Sequence, residues 1–194
     1  EKDTLGLYLT GHPIDVYRNE LKAFVPCQIN ELTPTRRGVT TVFAGLVVDI
    51  ANFPNRMMMT LDDGTARIEI SANHERFNRF KEIIQLDKVV VIEGEIYERE
   101  GFDRPMGRLT KAFSLNEIRQ KRANSIKITL TAEHFSKSLS RDLQQILTPY
   151  TNIDMSAHIP VILYLDYPYA TTELHLGLNW KVAPLDELLA KLRD

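Results

Sequence analysis

Cysteine is nearly absent from this chain of 194 residues: Cys27 is the only one. That excludes an internal disulfide and a cysteine-based zinc site, and a reducing, cytoplasmic setting is expected. Tryptophan is as scarce, with Trp180 alone. No apolar run approaches the roughly 18–20 residues that a membrane-spanning helix needs, so no membrane association is expected. An initiator methionine is missing, and the opening EKDTLGLYLTGHP lacks the basic start and long apolar core of a signal peptide. The chain is therefore read as a piece of a longer one. Excess positive charge is missing too. With 24 Lys and Arg against 26 Asp and Glu, any binding to nucleic acid has to come from a local patch.

Signatures of catalysis are missing as well. His12, His74, His134, His158 and His175 show no metal-ligand spacing and no HExxH pattern, and each reads as a surface or turn residue. There is no glycine-rich phosphate loop. No catalytic residue, metal or cofactor is expected.

What the sequence does have is strand periodicity. In MMMTLDDGTARIEIS, residues 57–71, a two-residue turn at Asp63-Gly64 would pair Leu61 with Ala66, Met59 with Ile68 and Met57 with Ile70. One face of that hairpin is then apolar and the other mostly polar, which fixes its register. The two aspartates become turn residues, since no further oxygen ligands stand at cation-binding spacing. Before the hairpin, VTTVFAGLVVDIANF puts Val42, Ala44, Leu46, Val48 and Ile50 on one face of a long strand, with Gly45 where it bends. After it, NHERFNRFKEIIQ reads as a helix capped by Asn73 and buried through Phe77, Phe80, Ile83 and Ile84. DKVVVIEGEIYERE and MGRLTKAFSL supply two more strands.

Three strands, a helix and two strands form the layout of an OB-fold, a five-stranded Greek-key barrel. The fold class expected is mainly β plus α/β. Residues 1–36 form a short helical segment, with Ile14, Tyr17, Leu21 and Phe24 near helical spacing. The barrel domain spans 37–122, and a small α/β domain spans 123–194. In the last domain SIKITLTA, IPVILYLDY and TELHLGLNW read as strands. Phe135, Leu139, Leu143, Ile146, Leu147 and Tyr150 share one helical face, and Leu185, Leu188, Leu189 and Leu192 another. The charged NEIRQKRAN links the two domains.

An OB barrel holds single strands with aromatic rings that stack on bases and cations that follow phosphates. The loops after strands 1 and 4 usually frame that groove. Here the first offers Phe53 and Arg56; the second offers Arg99, Phe102, Arg104 and Arg108. Arg67 and Lys111 can face the groove from the strands. Residues 37–122 hold 14 Lys and Arg against 13 Asp and Glu, so binding should be weak and steeply salt-dependent. Glu93, Glu95, Glu98 and Glu100 read as a solvated acidic face.

The block EKDTLGLYLTGHPI, followed by AGLVVDI, NRMMMTLDDGTARIEI and DKVVVIEGEI, resembles the C-terminal region of the bacterial DNA polymerase III alpha subunit. The ending GLNWKVAPLDELLAKLR is similar to its gammaproteobacterial branch. The resemblance implies that the polymerase active site lies upstream, outside this chain. It implies an OB domain that binds single-stranded template DNA and a last domain that docks the clamp-loader tau subunit. Trp180 and Lys181, with Leu185, Leu188 and Leu189, are then the expected partner contacts. A sliding clamp would be reached only through a motif outside this chain. The rival readings are an RNA-binding OB module of the anticodon-binding type and a barrel that is purely a structural spacer.

Overall fold

The computed structural model describes residues 12–35, 37–98, 104–153 and 158–193. The chain divides into two units between Leu115 and Asn116, each with its own apolar core.

The first unit opens with a 3-10 turn, Pro13–Tyr17, and one turn of helix, α1 (Arg18–Leu21). Ile14, Leu21 and Phe24 are buried, while Tyr17 is only half-buried. Five strands follow: β1 (Val39–Phe53), β2 (Arg56–Asp62), β3 (Arg67–Ala72), β4 (Val89–Tyr97) and β5 (Met106–Ser114). They close into a barrel in the order β1-β2-β3-β5-β4. All neighbours run antiparallel except β3 and β5. Closure leaves no open sheet edge, and the expected OB topology is what the chain adopts. Between β3 and β4 lies α2 (His74–Arg79). Its cap is Asn73, whose Oδ1 accepts from the Arg76 amide at 2.8 Å. The helix is shorter than its apolar stripe predicts, and Phe80, Ile83 and Ile84 pack from turns beyond it.

Two details differ from the sequence expectation. The β2–β3 register is two residues further out: Met59 faces Ile70, Leu61 faces Ile68 and Asp62 faces Arg67. Both faces keep their character, because a shift of two preserves the alternation. The cause is the loop chemistry. Asp63 Oδ1 accepts from the Thr65 amide (2.8 Å), the Thr65 hydroxyl (2.6 Å) and the Ala66 amide (3.1 Å). Asp62 Oδ1 accepts from Gly64 N at 2.8 Å. These bonds stabilise a loop over 63–66 in place of a two-residue turn. Gly64 takes φ +81°, the left-handed backbone such a loop requires.

β1 also departs from simple alternation. Residues 43–47 are all buried, and the β1–β2 register shifts between Val47 and Asp49. Phe43 and Val47 join the barrel core, and beyond the bulge Ile50 packs against it. One inserted residue has switched the inward face from odd to even positions. Ala44 is buried on the outer side, sharing a small cavity with Ile14 and Leu21 of the N-terminal segment. That segment is held to the 63–66 loop: Asp63 Oδ2 accepts from the buried Ile29 amide at 2.8 Å, and Arg18 Nη2 reaches the Asp63 carbonyl at 3.3 Å. The aspartate pair carries shape.

Helix α3 (Leu115–Arg122) starts at the boundary with all but its first residue in the second unit, which also contains β6 (Ile126–Thr131), α4 (Leu139–Leu147), β7 (Val161–Tyr167), β8 (Ala170–His175) and α5 (Asp186–Lys191). The sheet of this unit runs β6-β7-β8, with β6 parallel and β8 antiparallel to β7. The charged linker of the sequence is helical here. Ile118 is buried, and so is Arg119, which donates to Asp186 Oδ1 at 2.6 Å and to Asn116 Oδ1 at 2.9 Å. α4 is shorter than its apolar stripe predicts. Phe135 stands outside it and stacks on Tyr167 with centroids 4.8 Å apart. β8 ends at His175, before Gly177 at φ +83°, and all six of its residues are exposed. Leu174 and Leu178 therefore lie outside the core that their alternation suggested.

Among the described residues no helix is long and apolar enough to cross a membrane.

Candidate nucleic-acid interface

The connection between β1 and β2 is only Pro54-Asn55, so Phe53 and Arg56 are not loop-tip residues. They pair directly across a two-residue turn. The Arg56 guanidinium lies over the Phe53 ring, 5.7 Å from its centroid. Phe53 remains 43% exposed. His74 at the start of α2 steadies the turn, its Nε2 lying 3.1 Å from the Phe53 carbonyl and 3.3 Å from that of Pro54.

From this turn the outer face of the barrel continues sideways in register. Ala51 of β1 adjoins Met58 of β2, Met58 adjoins Ser71 of β3, Ser71 adjoins Arg108 of β5, and Arg108 adjoins Glu95 of β4. The Ser71 hydroxyl donates to the Gly107 carbonyl at 3.1 Å, tying β3 to β5. Strand spacing places Arg56 and Arg108 about 12 Å apart. Arg104 is exposed just before β5. Arg99 and Phe102 lie outside the described residues.

The cations on this face are mostly compensated. Arg108 Nη1 is 3.1 Å from Glu95 Oε2, and its guanidinium lies 5.7 Å from the Tyr97 ring centroid. Lys111 Nζ is 3.1 Å from Glu93 Oε1. The acidic run of β4 thus pairs across the ladder with the basic residues of β5. Arg67 Nε is 2.7 Å from Asp62 Oδ2 at the far end of β2 from Arg56, six residues along the strand, or about 20 Å. Burial tends to raise the pKa of Asp62, but the Arg67 hydrogen bond, the Gly64 amide and the His12 and Arg67 charges outweigh it, and the pKa is lowered. Phe53, Arg56 and Arg108 therefore share one stretch of surface, and Arg67 belongs to another.

In the second unit, Trp180 closes a short 3-10 turn (Leu178–Trp180), half-buried against the core, and Lys181 follows it, also half-buried. Leu185 and Leu189 are half-buried on α5 and its cap. Leu188, counted with the partner contacts from the sequence, is fully buried and is a core residue.

Residues 41–135 match a family model described as an OB-fold nucleic acid binding domain. Residues 142–194 match one described as the DNA polymerase III subunit alpha C-terminal domain. Along its full length the chain is 33% identical to DNA polymerase III subunit alpha of Vibrio cholerae, and likewise to that of Escherichia coli strain K12, over 203 residues each. It is 35% identical over 199 residues to the Pseudomonas aeruginosa subunit. The similarity to the DNA polymerase III alpha subunit runs along the whole chain. The chain matches the C-terminal region of the gammaproteobacterial alpha subunit and spans 17%, 17% and 16% of those three relatives. Among solved structures, an OBody bound to hen egg-white lysozyme aligns over 47% of this chain and 93% of its own, with 21% identity and a TM-score of 0.40.

Within this alpha-subunit region, His74, Ser71 and Tyr97 share the candidate face and were not legible in the sequence. His74 had one available signal, its place directly after a helix cap. Ser71 and Tyr97 reach the face through the β3–β5 and β4–β5 registers, which no local pattern encodes.

Proposed function

We propose that this chain is a non-catalytic C-terminal module of a bacterial replicative DNA polymerase. Its barrel binds single-stranded template DNA, and its second unit docks the clamp-loader tau subunit. The observation that carries the first part is the Phe53–Arg56 pair: an exposed ring and a cation side by side at the edge of an OB barrel. Phe53 stacks on a base, Arg56 and Arg104 meet phosphates, and Arg108 joins them from β5. Arg99 and Phe102, outside the described residues, are further candidates by sequence position alone, and Arg67, on its separate stretch of surface, is reached only by a longer strand. For tau, the half-buried Trp180 and Lys181 are the contacts of choice, with Leu185 and Leu189 flanking. Any contact with the sliding clamp is left to a segment outside this chain, and the polymerase chemistry to upstream parts of the relatives.

The test is competition between labelled oligo-dT, unlabelled duplex DNA and oligo-U of equal length at low salt. Preference for the DNA single strand supports the reading. Preference for RNA replaces it with an anticodon-binding type of module, and no saturable binding makes the barrel a spacer. Loss of tau capture by Trp180→Ala in a still-folded chain supports the docking role.

A further inference from the structure

Two cross-strand ion pairs lie beside the proposed binding face, and both have the same asymmetry. In the Arg108–Glu95 pair the arginine side chain is 59% exposed and the glutamate 34%; in Lys111–Glu93 the values are 55% and 24%. The cation turns outward and the carboxylate sits beneath it. Arg108 is also the β5 neighbour of Ser71, so its pair is in register with the surface leading back to Arg56. A phosphate arriving at Arg108 finds the guanidinium already engaged, with a carboxylate 3.1 Å away. It has to displace that carboxylate and then tolerate its repulsion. Pairs this exposed are weak, so displacement is feasible, but each one subtracts from binding.

We propose that Glu95, and to a smaller extent Glu93, act as internal competitors of nucleic-acid phosphate, holding the barrel's affinity for single strands low. This rests on the reading of the barrel as a single-strand binder. The strand is bound by exchange: Arg108 leaves Glu95 for a phosphate, and Lys111 does the same with Glu93 where the bound strand is long enough to reach it. The device keeps the contact short-lived, as suits a surface over which a strand must keep moving.

The experiment is an anisotropy titration of oligo-dT with the wild-type chain, Glu95→Gln, Glu93→Gln and the double variant at several salt concentrations. Glu82→Gln serves as a control. It removes the same charge from an exposed turn after α2, where Glu82 pairs only loosely with Lys81 at 3.9 Å. Glutamine keeps the shape, and thermal unfolding checks each fold. The expected result for Glu95→Gln is a two- to fivefold gain in affinity. The log-affinity against log-salt slope should steepen by about 0.7 for each cation freed. Glu93→Gln gives a smaller gain, the double variant multiplies the two, and Glu82→Gln changes little. Wild-type binding that Glu95→Gln leaves unchanged or weakens overturns the inference and leaves the single-strand reading standing. An equal gain from Glu82→Gln also overturns it, since the effect is then one of net charge. No binding by any variant at low salt defeats the single-strand reading itself.

Discussion

Arg56 holds its guanidinium over the ring of Phe53, 5.7 Å from the centroid, across a turn of two residues. The pairing keeps an apolar ring at the surface, because a cation on one face partly shields it and leaves the other face open. Truncating the ring should therefore cost binding more than stability. Phe53→Ala is expected to weaken oligo-dT binding by about 1–3 kcal/mol, the worth of one stacked base. The melting temperature should stay within a few degrees of wild type, as checked by calorimetry beside the titration.

Asp63 is the residue on which the 63–66 loop depends. Its carboxylate accepts from Thr65 twice, from Ala66 once, and from the buried Ile29 amide that brings the N-terminal segment onto the barrel. Asp63→Ala strands that amide and unties the loop. Urea unfolding of the barrel should show a loss of about 2 kcal/mol.

Asp62 gives the barrel a pH dependence of known sign. Its folded pKa lies below the ordinary value of 3.8. The group therefore contributes stability that is fully present above the unfolded value and is lost as pH falls through the folded one. Thermal melts taken from pH 6 down to pH 2 should show an acid limb that is shallower in Asp62→Asn than in the wild type.

Leu188 and Trp180 should separate packing from docking. Leu188 has no exposed surface, so Leu188→Ala is expected to cost about 2–5 kcal/mol in the second unit. Trp180→Ala removes a half-buried ring from the edge of that core. It should cost less in stability and more in tau binding. Paired denaturation and tau-capture measurements separate the two effects.

The barrel was legible in the sequence because its strands alternate, its helix carries a cap and its order is specific. Asp63-Gly64 alone points to a two-residue turn, which sets the hairpin register two residues off. The aspartate side chains, which select the longer loop, act through bonds to Gly64, Thr65 and Ala66 that a residue pattern does not display. The bulge near Val48 is invisible in the sequence for a related reason. A continuous buried run from Phe43 to Val47 reads the same whichever face points inward. Phe53 and Arg56 could be placed beside the Pro54-Asn55 turn because loop position follows from topology. Arg108 and Lys111 look available in the sequence because their carboxylate partners sit 13 and 18 residues away on β4. Phe135, Leu174 and Leu178 looked buried because helical and strand spacing run on past the points where these elements stop.

The most direct test of the single-strand reading is the affinity of oligo-dT for the wild-type chain and for Arg56→Glu, each measured at low and moderate salt. Arg56 is exposed and, among the described residues, its side chain lies against the Phe53 ring, so reversing its charge should leave the fold intact. If a single strand lies on this face, wild-type binding is saturable and weakens with salt. Arg56→Glu should bind at least fivefold more weakly, with a salt slope shallower by about 0.7. Equal binding by the two proteins would contradict that placement, because a strand on this barrel face could not be indifferent to the charge at the Phe53 turn.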